Sequence, residues 1–486
     1  MFNFLLSEAA RLANTLIVGD ERISDEDYIV KELNRFKTSH KRKVMIDGEK
    51  YYKGIHDILK KERTVIGENG EPVAVDNLPN NKVVDNQYKK MVDQKNNYLL
   101  GQPLTIQSDN KQYVDLLNTD VFNRRFHRLL KAVGEDSLNC GIGWLFVHYD
   151  EQGNFNFKRL KPYEVIAGWK DTEHTVLDYA IRIYEVVAYE GKQEKVIDRV
   201  EVYDDKGINY FELTSGEKLK PVAPFFQNYF TVTDAEGNEQ GYNWTKIPLI
   251  PFKYNSKEIP LIKMVKTLQD GLNTIESNFQ NAMEEDTRNT ILVLVNYDGE
   301  NLGEFRQNLA QYGAVKVNTI DGAGGDLKTL QVEVNSENYK AILEIFKKAI
   351  IENAMGYDAK DDRLAGNPNQ MNIQSMYSDI DLDANGTETE YQAALEELLW
   401  FVNCHFSNIG LGDFENEKVE IIFNRDIMIC ESEVIDNVNK SVDLSLETRL
   451  ANHPWIDDVD AELERIKKQN AAEFDDPFKK QEDFTD

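Results

Sequence analysis

Cysteine and long apolar runs are both scarce in this chain of 486 residues. Its three cysteines, Cys140, Cys404 and Cys430, form neither a metal-ligand spacing nor a paired framework. A reducing compartment is therefore favoured over secretion. No uncharged run of about 18 residues occurs, so we expect no membrane-spanning segment and no membrane partner.

Common catalytic motifs are also missing. The sequence contains no GxxxxGK[ST] phosphate loop, no GxSxG nucleophile elbow, no HExxH motif and no CxxC pair. Carboxylates are numerous, but a catalytic pair cannot be selected from 85 acidic residues without geometry. We therefore expect a protein that is not an enzyme, with no catalytic residue, no metal site and no cofactor.

Basic residues are outnumbered, with 56 Lys and Arg against 85 Asp and Glu, for a net charge of −29. This balance argues against tight wrapping of nucleic acid, which normally recruits a Lys/Arg surface. It does not argue against DNA sliding past an acidic wall, where like charge removes adhesive contacts. Hydrophobic residues make up 41% of the chain, which is ample for packed cores, and the length predicts two to four domains.

The sequence pattern changes near Gly141. Residues 1–140 are mostly helical in character, with loops near 69–72 and 78–81. From Gly141 onwards, short β-rich runs are separated by Gly- and Asn-containing turns, which predicts an antiparallel meander. The fold class predicted from these patterns is α+β.

Two amphipathic helices are predicted beyond the meander. Their apolar residues recur in steps of three and four, which places them on one face of each helix. In the first helix these are Leu261, Val265, Leu268, Leu272, Ile275, Phe279 and Ala282. In the second they are Ile342, Ile345, Phe346, Ala349 and Ile350. Gly356 follows where a left-handed C-terminal cap is expected.

A small αβ insert is predicted between these helices, and a polar loop after them. The insert comprises a strand at 290–295, a helix at Asn301–Gln311 and strands at 314–318 and 327–334. After the loop at 356–372, a long helix is predicted up to His405, with one apolar side formed by Leu395, Leu398, Leu399 and Val402. A strand at Lys418–Phe423 and short helices around Glu447 and Ala461 complete the prediction.

Several phrases of the sequence, in this order, resemble one protein family. They are YYKGIHDIL at 51–59, the run from Asn81 to Ile106, KPYEVIAGW at 161–169, IPLIPFKYN at 247–255, the helix at 261–281, the run at 373–401 and IIFNRDIMICESEVIDNVNKS at 421–441. Together they are similar to the portal (head–tail connector) proteins of tailed bacteriophages, of the siphophage type. The resemblance covers nearly the whole chain.

The resemblance implies a ring of twelve identical subunits, a homododecamer, at one vertex of a capsid. Double-stranded DNA would be packaged through its central channel by a docked terminase, retained, and later ejected towards the tail. The implied partners are the terminase large subunit, a head-completion or adaptor protein, and the major capsid and scaffold proteins. The implied location is the virion, after assembly in the host cytoplasm.

The same resemblance implies a portal fold with a defined division of the chain. The implied parts are a wing at 1–256 (helical, then β-rich from about 141), a stem helix at 257–288, a clip at 289–335, a second stem helix at 336–355, a channel loop at 356–372, a long wing helix and strand at 373–424, and a helical crown with a polar tail at 425–486.

Two groups of site residues follow from this division. Residues of the channel loop that would face DNA are Lys360, Arg363, Asn367, Asn369 and Gln370. The loop carries two basic residues and three acidic ones, so it would contact DNA phosphates without binding them tightly. Residues that would pack the stem are Leu261, Val265, Leu268, Leu272, Ile275, Phe279, Ile342, Phe346 and Ile350.

Three other motifs have competing interpretations. The stretch from Asp381 to Gly386 matches the first half of an EF-hand calcium loop, but its twelfth position is Gln392, so a polar helix face is favoured. Lys41-Arg42-Lys43 is basic, yet a solvated or intersubunit face is favoured over nucleic-acid binding. Cys404-His405 lacks a second ligand pair, so a packing role is favoured over a metal site.

Two alternative functions remain open at this point. The first is another head morphogenesis protein, such as a minor capsid or scaffold-like component without a DNA channel. The second is a metal-dependent nuclease that uses the carboxylates of Asp381 and Asp383.

Overall fold

The computed structural model describes residues 25–66, 70–76, 78–214, 218–233, 236–286, 291–295, 326–330, 336–359, 370–425, 431–456 and 459–474. Its α-helices, in chain order, are α1 (Asp25–Thr38), α2 (His40–Tyr52), α3 (Gln87–Leu100), α4 (Lys111–Leu116), α5 (Arg124–Cys140), α6 (Ile262–Asp286), α7 (Ser336–Asn353), α8 (Gln370–Asn408), α9 (Glu431–Lys440), α10 (Leu446–Ala451) and α11 (Val459–Phe474). Helix and sheet are thus mixed along the chain, as the predicted α+β class requires.

The strands form small antiparallel sheets. They are β1 (Thr64–Ile66), β2 (Pro72–Ala74), β3 (Thr105–Gln107), β4 (Ile142–Tyr149), β5 (Phe155–Leu160), β6 (Val165–Trp169), β7 (Leu177–Glu190), β8 (Gln193–Asp204), β9 (Gly207–Leu213), β10 (Leu219–Gln227), β11 (Phe230–Thr233), β12 (Glu239–Tyr242), β13 (Leu249–Lys253), β14 (Ile291–Val295), β15 (Asp326–Leu330) and β16 (Glu420–Ile422). Strands β6 to β10 pair in sequence order, which confirms the later part of the predicted meander, whereas its first two runs, β4 and β5, belong to a separate sheet. A three-stranded sheet has the order β13-β4-β5, and β16 pairs with β3.

Three clusters of buried apolar residues hold these elements together. The largest joins α8 to α5 and to the β13-β4-β5 sheet, and includes Trp144, Phe252 and Tyr391. A second joins α3, α6 and α7. The third lies between α1 and the meander sheet, where Ile29 and Leu33 pack. The helix pair α6/α7 therefore rests on the N-terminal helices and not on the meander.

The predicted insert and C-terminal helices are present in part. The first and third predicted strands of the insert exist as β14 and β15 and pair with each other. The helix predicted at 301–311 and the strand predicted at 314–318 lie outside the described residues. Near the C-terminus, α10 and α11 correspond to the two predicted short helices, whereas α9 was not predicted.

The end of α7 differs from the prediction. The left-handed residue is Met355, with φ 51°, and not Gly356. The Gly356 N–H donates to Ile351 O (2.9 Å), which closes the helix one residue earlier than predicted. Gly356 is closely surrounded, because a Cβ there would lie 2.8 Å from Gln94 Oε1 and from Met91 Sδ, so either side chain would have to shift to admit it.

The long helix also starts earlier than predicted, at Gln370 in place of residue 373. Its first turns already place Ile373, Met376, Tyr377 and Ile380 in the core. The buried face thus begins at Ile373, and the added residues 370–372 contribute less than one turn, in which Met371 is exposed. No helix among the described residues has the length and apolar character that crossing a membrane requires.

Candidate functional site: the helix pair and its attachments

Helices α6 and α7 pack side by side through the apolar residues predicted for the stem. Leu261, Val265 and Leu272 are fully buried, and Ile350 on α7 is buried as well. Leu268 and Phe346 are partly buried at the edge of the same cluster. These residues of α6 therefore lie in one apolar cluster with α7 and with the N-terminal helices.

The outer part of the pair is less enclosed. Phe279 contacts Tyr339 with ring centroids 4.6 Å apart, and Ile275 is half-buried. Ile342 is 41% exposed and Ile345 is 64% exposed. Within a single chain, Ile342 thus does not pack as the other predicted stem residues do.

Gly271 sets the distance between the two helices. A Cβ at this position would lie 2.5 Å from Cε1 of Phe346, which is closer than two carbon atoms can approach. The glycine is tolerated in the middle of α6 because it admits this ring against the helix backbone.

The opposite side of α6 is buried although it is polar. Gln269, Asn273, Ser277 and Asn281 are all at least nine-tenths buried. These side chains face an extended segment at residues 81–86, here called the strap, and the first turn of α3. Each accepts one backbone N–H. The pairs are Asn81 N to Asn281 Oδ1 (2.7 Å), Val83 N to Ser277 Oγ (2.9 Å), Asp85 N to Asn273 Oδ1 (3.1 Å) and Tyr88 N to Gln269 Oε1 (2.9 Å).

The regularity of these bonds has a geometric cause. Two residues of extended chain advance about 6.6 Å, and four residues of helix advance about 6 Å. Alternate N–H groups of the strap therefore meet every fourth side chain of α6, with the two segments running in opposite directions. These four backbone donors are paired, which avoids the cost of leaving a buried donor unsatisfied.

His56 joins the strap contact to the end of α2. Its Nδ1 lies 2.7 Å from Asn273 Nδ2 and its Nε2 lies 3.0 Å from Tyr51 O. The amide nitrogen must donate and the carbonyl must accept, so the ring is neutral with its proton on Nε2. Burial lowers the pKa of His56, which favours this neutral form.

An ion cluster joins the strap to both helices of the pair. Lys347 on α7 lies 2.7 Å from Asp85 Oδ2 and 3.7 Å from Glu276 Oε1 on α6. Burial alone would raise the pKa of Asp85, but its contacts with Lys347 and Gln87 outweigh burial and hold it below its ordinary value. Burial, with Asp85 nearby, raises the pKa of Glu276. The strap is thus attached to α6 by hydrogen bonds and to α7 by charge.

The residues predicted to face DNA are placed only in part. Lys360, Arg363, Asn367 and Asn369 lie outside the described residues. Gln370 is the first residue of α8 and so belongs to a helix, where the prediction had a loop.

The stretch with the EF-hand spacing is helical throughout, since it lies inside α8. Asp381 Oδ1 lies 2.5 Å from Arg425 Nη1, and Asp383 Oδ2 lies 2.7 Å from Lys95 Nζ. A helix does not wrap carboxylates around one ion as a calcium loop does, and these carboxylates are already neutralised. Among the described residues, no group of three or more His, Cys, Asp and Glu is arranged to hold a metal ion. The helical backbone and the ion pairs of Asp381 and Asp383 thus favour the polar helix face over a calcium loop.

The other two motifs make contacts within the chain. In the basic triplet, Lys41 pairs with Glu258 (2.5 Å) and Arg42 Nε donates to Tyr163 O (2.9 Å). His405 stacks on Phe155 with centroids 4.6 Å apart, and its Nδ1 lies 3.0 Å from Tyr149 Oη. Both motifs take part in packing between elements.

Sequence reasoning missed the polar side of α6 and the strap. A signal was present, because Gln269, Asn273, Ser277 and Asn281 recur every fourth residue. Polar side chains at such positions are usually solvated, so the pattern alone predicts an exposed face.

Comparison with known proteins places the chain among the structural proteins of the phage capsid vertex. It belongs to the family described as "Phage portal protein, SPP1 Gp6-like", whose model matches residues 36–475. The resemblance drawn from the sequence motifs is thereby confirmed.

Two curated relatives support the same family. The portal protein of Bacillus phage SPP1 is 29% identical over 434 residues, which cover 88% of this chain and 84% of that protein. The portal protein of Clostridium phage phiCD119 is 27% identical over 455 residues, which cover 90% of this chain and 96% of that protein.

A solved structure described as "Neck of empty GTA particle computed with C6 symmetry" is 13% identical to the chain, with a TM-score of 0.40. The match covers 75% of this chain and 88% of that chain. At this TM-score the likeness supports no argument about this protein.

Proposed function

We propose that the chain forms a closed ring of twelve copies at one capsid vertex, and that double-stranded DNA passes through its channel during packaging, retention and ejection. During assembly in the host cytoplasm the ring binds the terminase large subunit and the major capsid and scaffold proteins. A head-completion or adaptor protein later takes the place of the terminase. Family membership and the form of the helix pair support this proposal.

The observation that carries the proposal is the exposed apolar surface of the helix pair. Ile345 is 64% exposed and Ile342 is 41% exposed on α7, while Met283 is 54% and Met264 is 40% exposed on α6. Side chains of this type on a rod-like helix pair suit lateral burial against identical copies, because each copy presents the same surface.

The division of the chain follows the same proposal. Helices α6 and α7 serve as the stem, the insert at 289–335 as the clip, and 356–369 as the channel loop, which ends where α8 begins. Residues 1–256 and 370–424 form the wing, and 425–486 form the crown. A net charge of −29 suits a channel whose wall does not bind DNA tightly while the DNA moves.

The ring is tested by particle mass and by negative-stain microscopy of the purified protein. We expect closed rings with a central hole. Ile345→Lys should weaken assembly, because it places a charge in the interface, whereas Val187→Lys on the meander hairpin is the control for loss of an exposed apolar side chain. A protein that stays monomeric at every concentration and salt refutes the ring. Assembly without a central hole instead favours a head morphogenesis protein that has no channel.

The clip and the channel loop are tested by deletion in a complete packaging system. Removal of 289–335 should abolish terminase binding, and removal of 359–370 should impair DNA packaging. Unchanged terminase binding contradicts the clip assignment. Unchanged packaging contradicts the assignment of the loop.

A further inference from the structure

The C-terminal end of α7 lies directly against α3. After α7 ends at Asn353, the chain turns through Met355 in a left-handed conformation. A Cβ on the next residue, Gly356, would overlap Gln94 and Met91 of α3. The backbone of this turn therefore packs directly on the side chains of Gln94 and Met91.

Gln94 binds the turn through both atoms of its amide. Its Nε2 donates to Tyr357 O (2.8 Å), and its Oε1 accepts from Tyr357 N–H (3.0 Å). A side-chain amide that pairs with both groups of one residue reproduces a strand-type backbone pairing. It thereby fixes the orientation of that peptide as well as its position.

Lys95, the next residue of α3, binds the same turn and also α8. Its side chain is 3% exposed, and its Nζ donates to Met355 O (3.1 Å) and pairs with Asp383 Oδ2 (2.7 Å). Tyr254 Oη donates to Asp383 Oδ1 (2.8 Å), which holds the carboxylate in place. Burial lowers the pKa of Lys95, and the charge of Asp383 opposes this effect.

The first turns of α8 are held at the same place. Tyr377 of α8 contacts Tyr357 with ring centroids 4.6 Å apart, and it stacks on Tyr98 of α3 with centroids 5.8 Å apart. The end of α7 and the start of α8 thus share one support, which is the C-terminal half of α3.

We propose that Gln94 and Lys95 are positioning residues that fix the end of α7 and the start of α8 relative to each other on α3. The inference rests on the proposed function in one respect. The segment that joins α7 to α8 is the proposed channel loop, so Gln94 and Lys95 would affect DNA passage by positioning the two helices that carry it. Movement of α7 against α8 would break the Gln94 pairing and would leave the charge of Lys95 buried with only one of its two partners.

The first test is hydrogen exchange at the Tyr357 amide in the full-length protein. Gln94→Met keeps the side-chain volume but removes both hydrogen bonds. We expect exchange at Tyr357 to become about tenfold faster or more, with the unfolding midpoint nearly unchanged. Asn97→Ala, on the exposed side of α3, is the matched control and should leave Tyr357 protected. Wild-type exchange at Tyr357 in Gln94→Met overturns the proposal.

Lys95 is tested with a paired variant, because Lys95→Met alone leaves Asp383 without its cation. In Lys95→Met/Asp383→Asn the charges are removed together, so we expect stability to recover. Exchange at Gly356 and Tyr357 should nevertheless stay fast, because Met355 O has lost its donor. Full recovery of protection in the double variant would mean that Lys95 serves only as a partner for Asp383, and would refute its positioning role.

DNA packaging separates this inference from the proposed function. In a packaging system, Gln94→Met should form normal particles yet package less DNA than wild type and Asn97→Ala. If Gln94→Met loses protection from hydrogen exchange at Tyr357 but packages as much DNA as wild type, Gln94 has no role in DNA passage. If the wild-type protein forms no ring, the proposed function fails, while the exchange results still decide whether Gln94 and Lys95 hold the turn.

Discussion

The two buried sides of α6 are held by different forces. Towards α7, the contact is apolar and includes Leu272 and the close approach of Phe346 to Gly271. Towards the strap, the contact consists of hydrogen bonds from backbone N–H groups to Asn273, Ser277 and Asn281. The apolar side gains stability from the area it buries, whereas the polar side mainly avoids a penalty, because its groups are costly only when left unpaired.

This difference has a consequence for specificity. Apolar burial is non-directional, so it specifies the register between two helices less strictly than hydrogen bonds do. The strap contact specifies its register strictly, because a shift of one residue would misplace every donor along the strap. We infer that the polar side fixes the register of α6 relative to the N-terminal helices, and that the apolar side supplies most of the stability of the helix pair.

The largest expected effect lies on the apolar side. Leu272→Ala should destabilise the protein by about 3 kcal/mol, because it leaves a cavity in a fully buried site. Ile345→Ala, on an exposed position of α7, should change the monomer by about 0.5 kcal/mol or less. Urea denaturation of both variants under conditions that keep the protein monomeric measures the contrast. If both variants lose the same free energy of unfolding, the buried apolar residues do not supply most of the stability of the helix pair.

On the polar side, Asn273→Ala should cost about 2 kcal/mol. It leaves the Asp85 N–H without its acceptor and His56 without its donor, in a site that water does not reach. The control is Asn278→Ala on the exposed side of α6, which should be near neutral. Hydrogen exchange at Asp85 and Val83 should quicken only in Asn273→Ala. Exchange unchanged there would contradict the strap contact.

Replacement of glycine by alanine should change the stability in opposite directions at two positions. Gly271→Ala should destabilise by about 1 kcal/mol, because the clash with Phe346 outweighs the gain in helix propensity. Gly386→Ala in α8 meets no atom within 4 Å and should stabilise by about 1 kcal/mol. Thermal unfolding compares the two. A stabilising Gly271→Ala would show that the helices can separate at little cost.

The smallest expected effect is a dependence on pH through His56. Burial lowers its pKa in the folded protein, so the unfolded chain binds more protons once the pH falls below about 6.5. Stability should therefore decrease from pH 7 to pH 5.5. The His56→Gln variant lacks the group whose protonation in the unfolded chain causes this loss of stability. The difference in unfolding midpoint between wild type and variant should therefore become smaller as the pH falls. A difference that stays constant would contradict a depressed pKa at His56.

Much of the fold was predictable from local patterns. Steps of three and four located α6 and α7, and short β-rich runs located the meander, because burial of one face imposes a period on the sequence. Helix ends were less predictable. The left-handed residue at the end of α7 is Met355 and not the glycine beside it, so the preference of glycine for this conformation misplaced the helix end by one residue.

The attachments of the helix pair were not predictable by the same means. The local sequence around Asn273 does not distinguish it from an exposed asparagine, and that around Gln94 does not distinguish it from any other glutamine on a helix surface. Their partners lie 188 and 263 positions away in the chain, at Asp85 and Tyr357. Only the packing of distant elements decides whether a polar side chain meets water or a backbone group.

The sequence alone therefore determined the family, the mixed helix and sheet class, and the apolar face of the helix pair, because these depend on composition, motif order and periodicity. The tertiary structure decided that the second face of α6 is buried, that the strap lies along it, and that α3 supports both the end of α7 and the start of α8. The physical reason is that hydrophobic burial of one face imposes a periodic apolar pattern on each segment. A buried hydrogen bond or ion pair instead requires two distant groups to meet at one point in space.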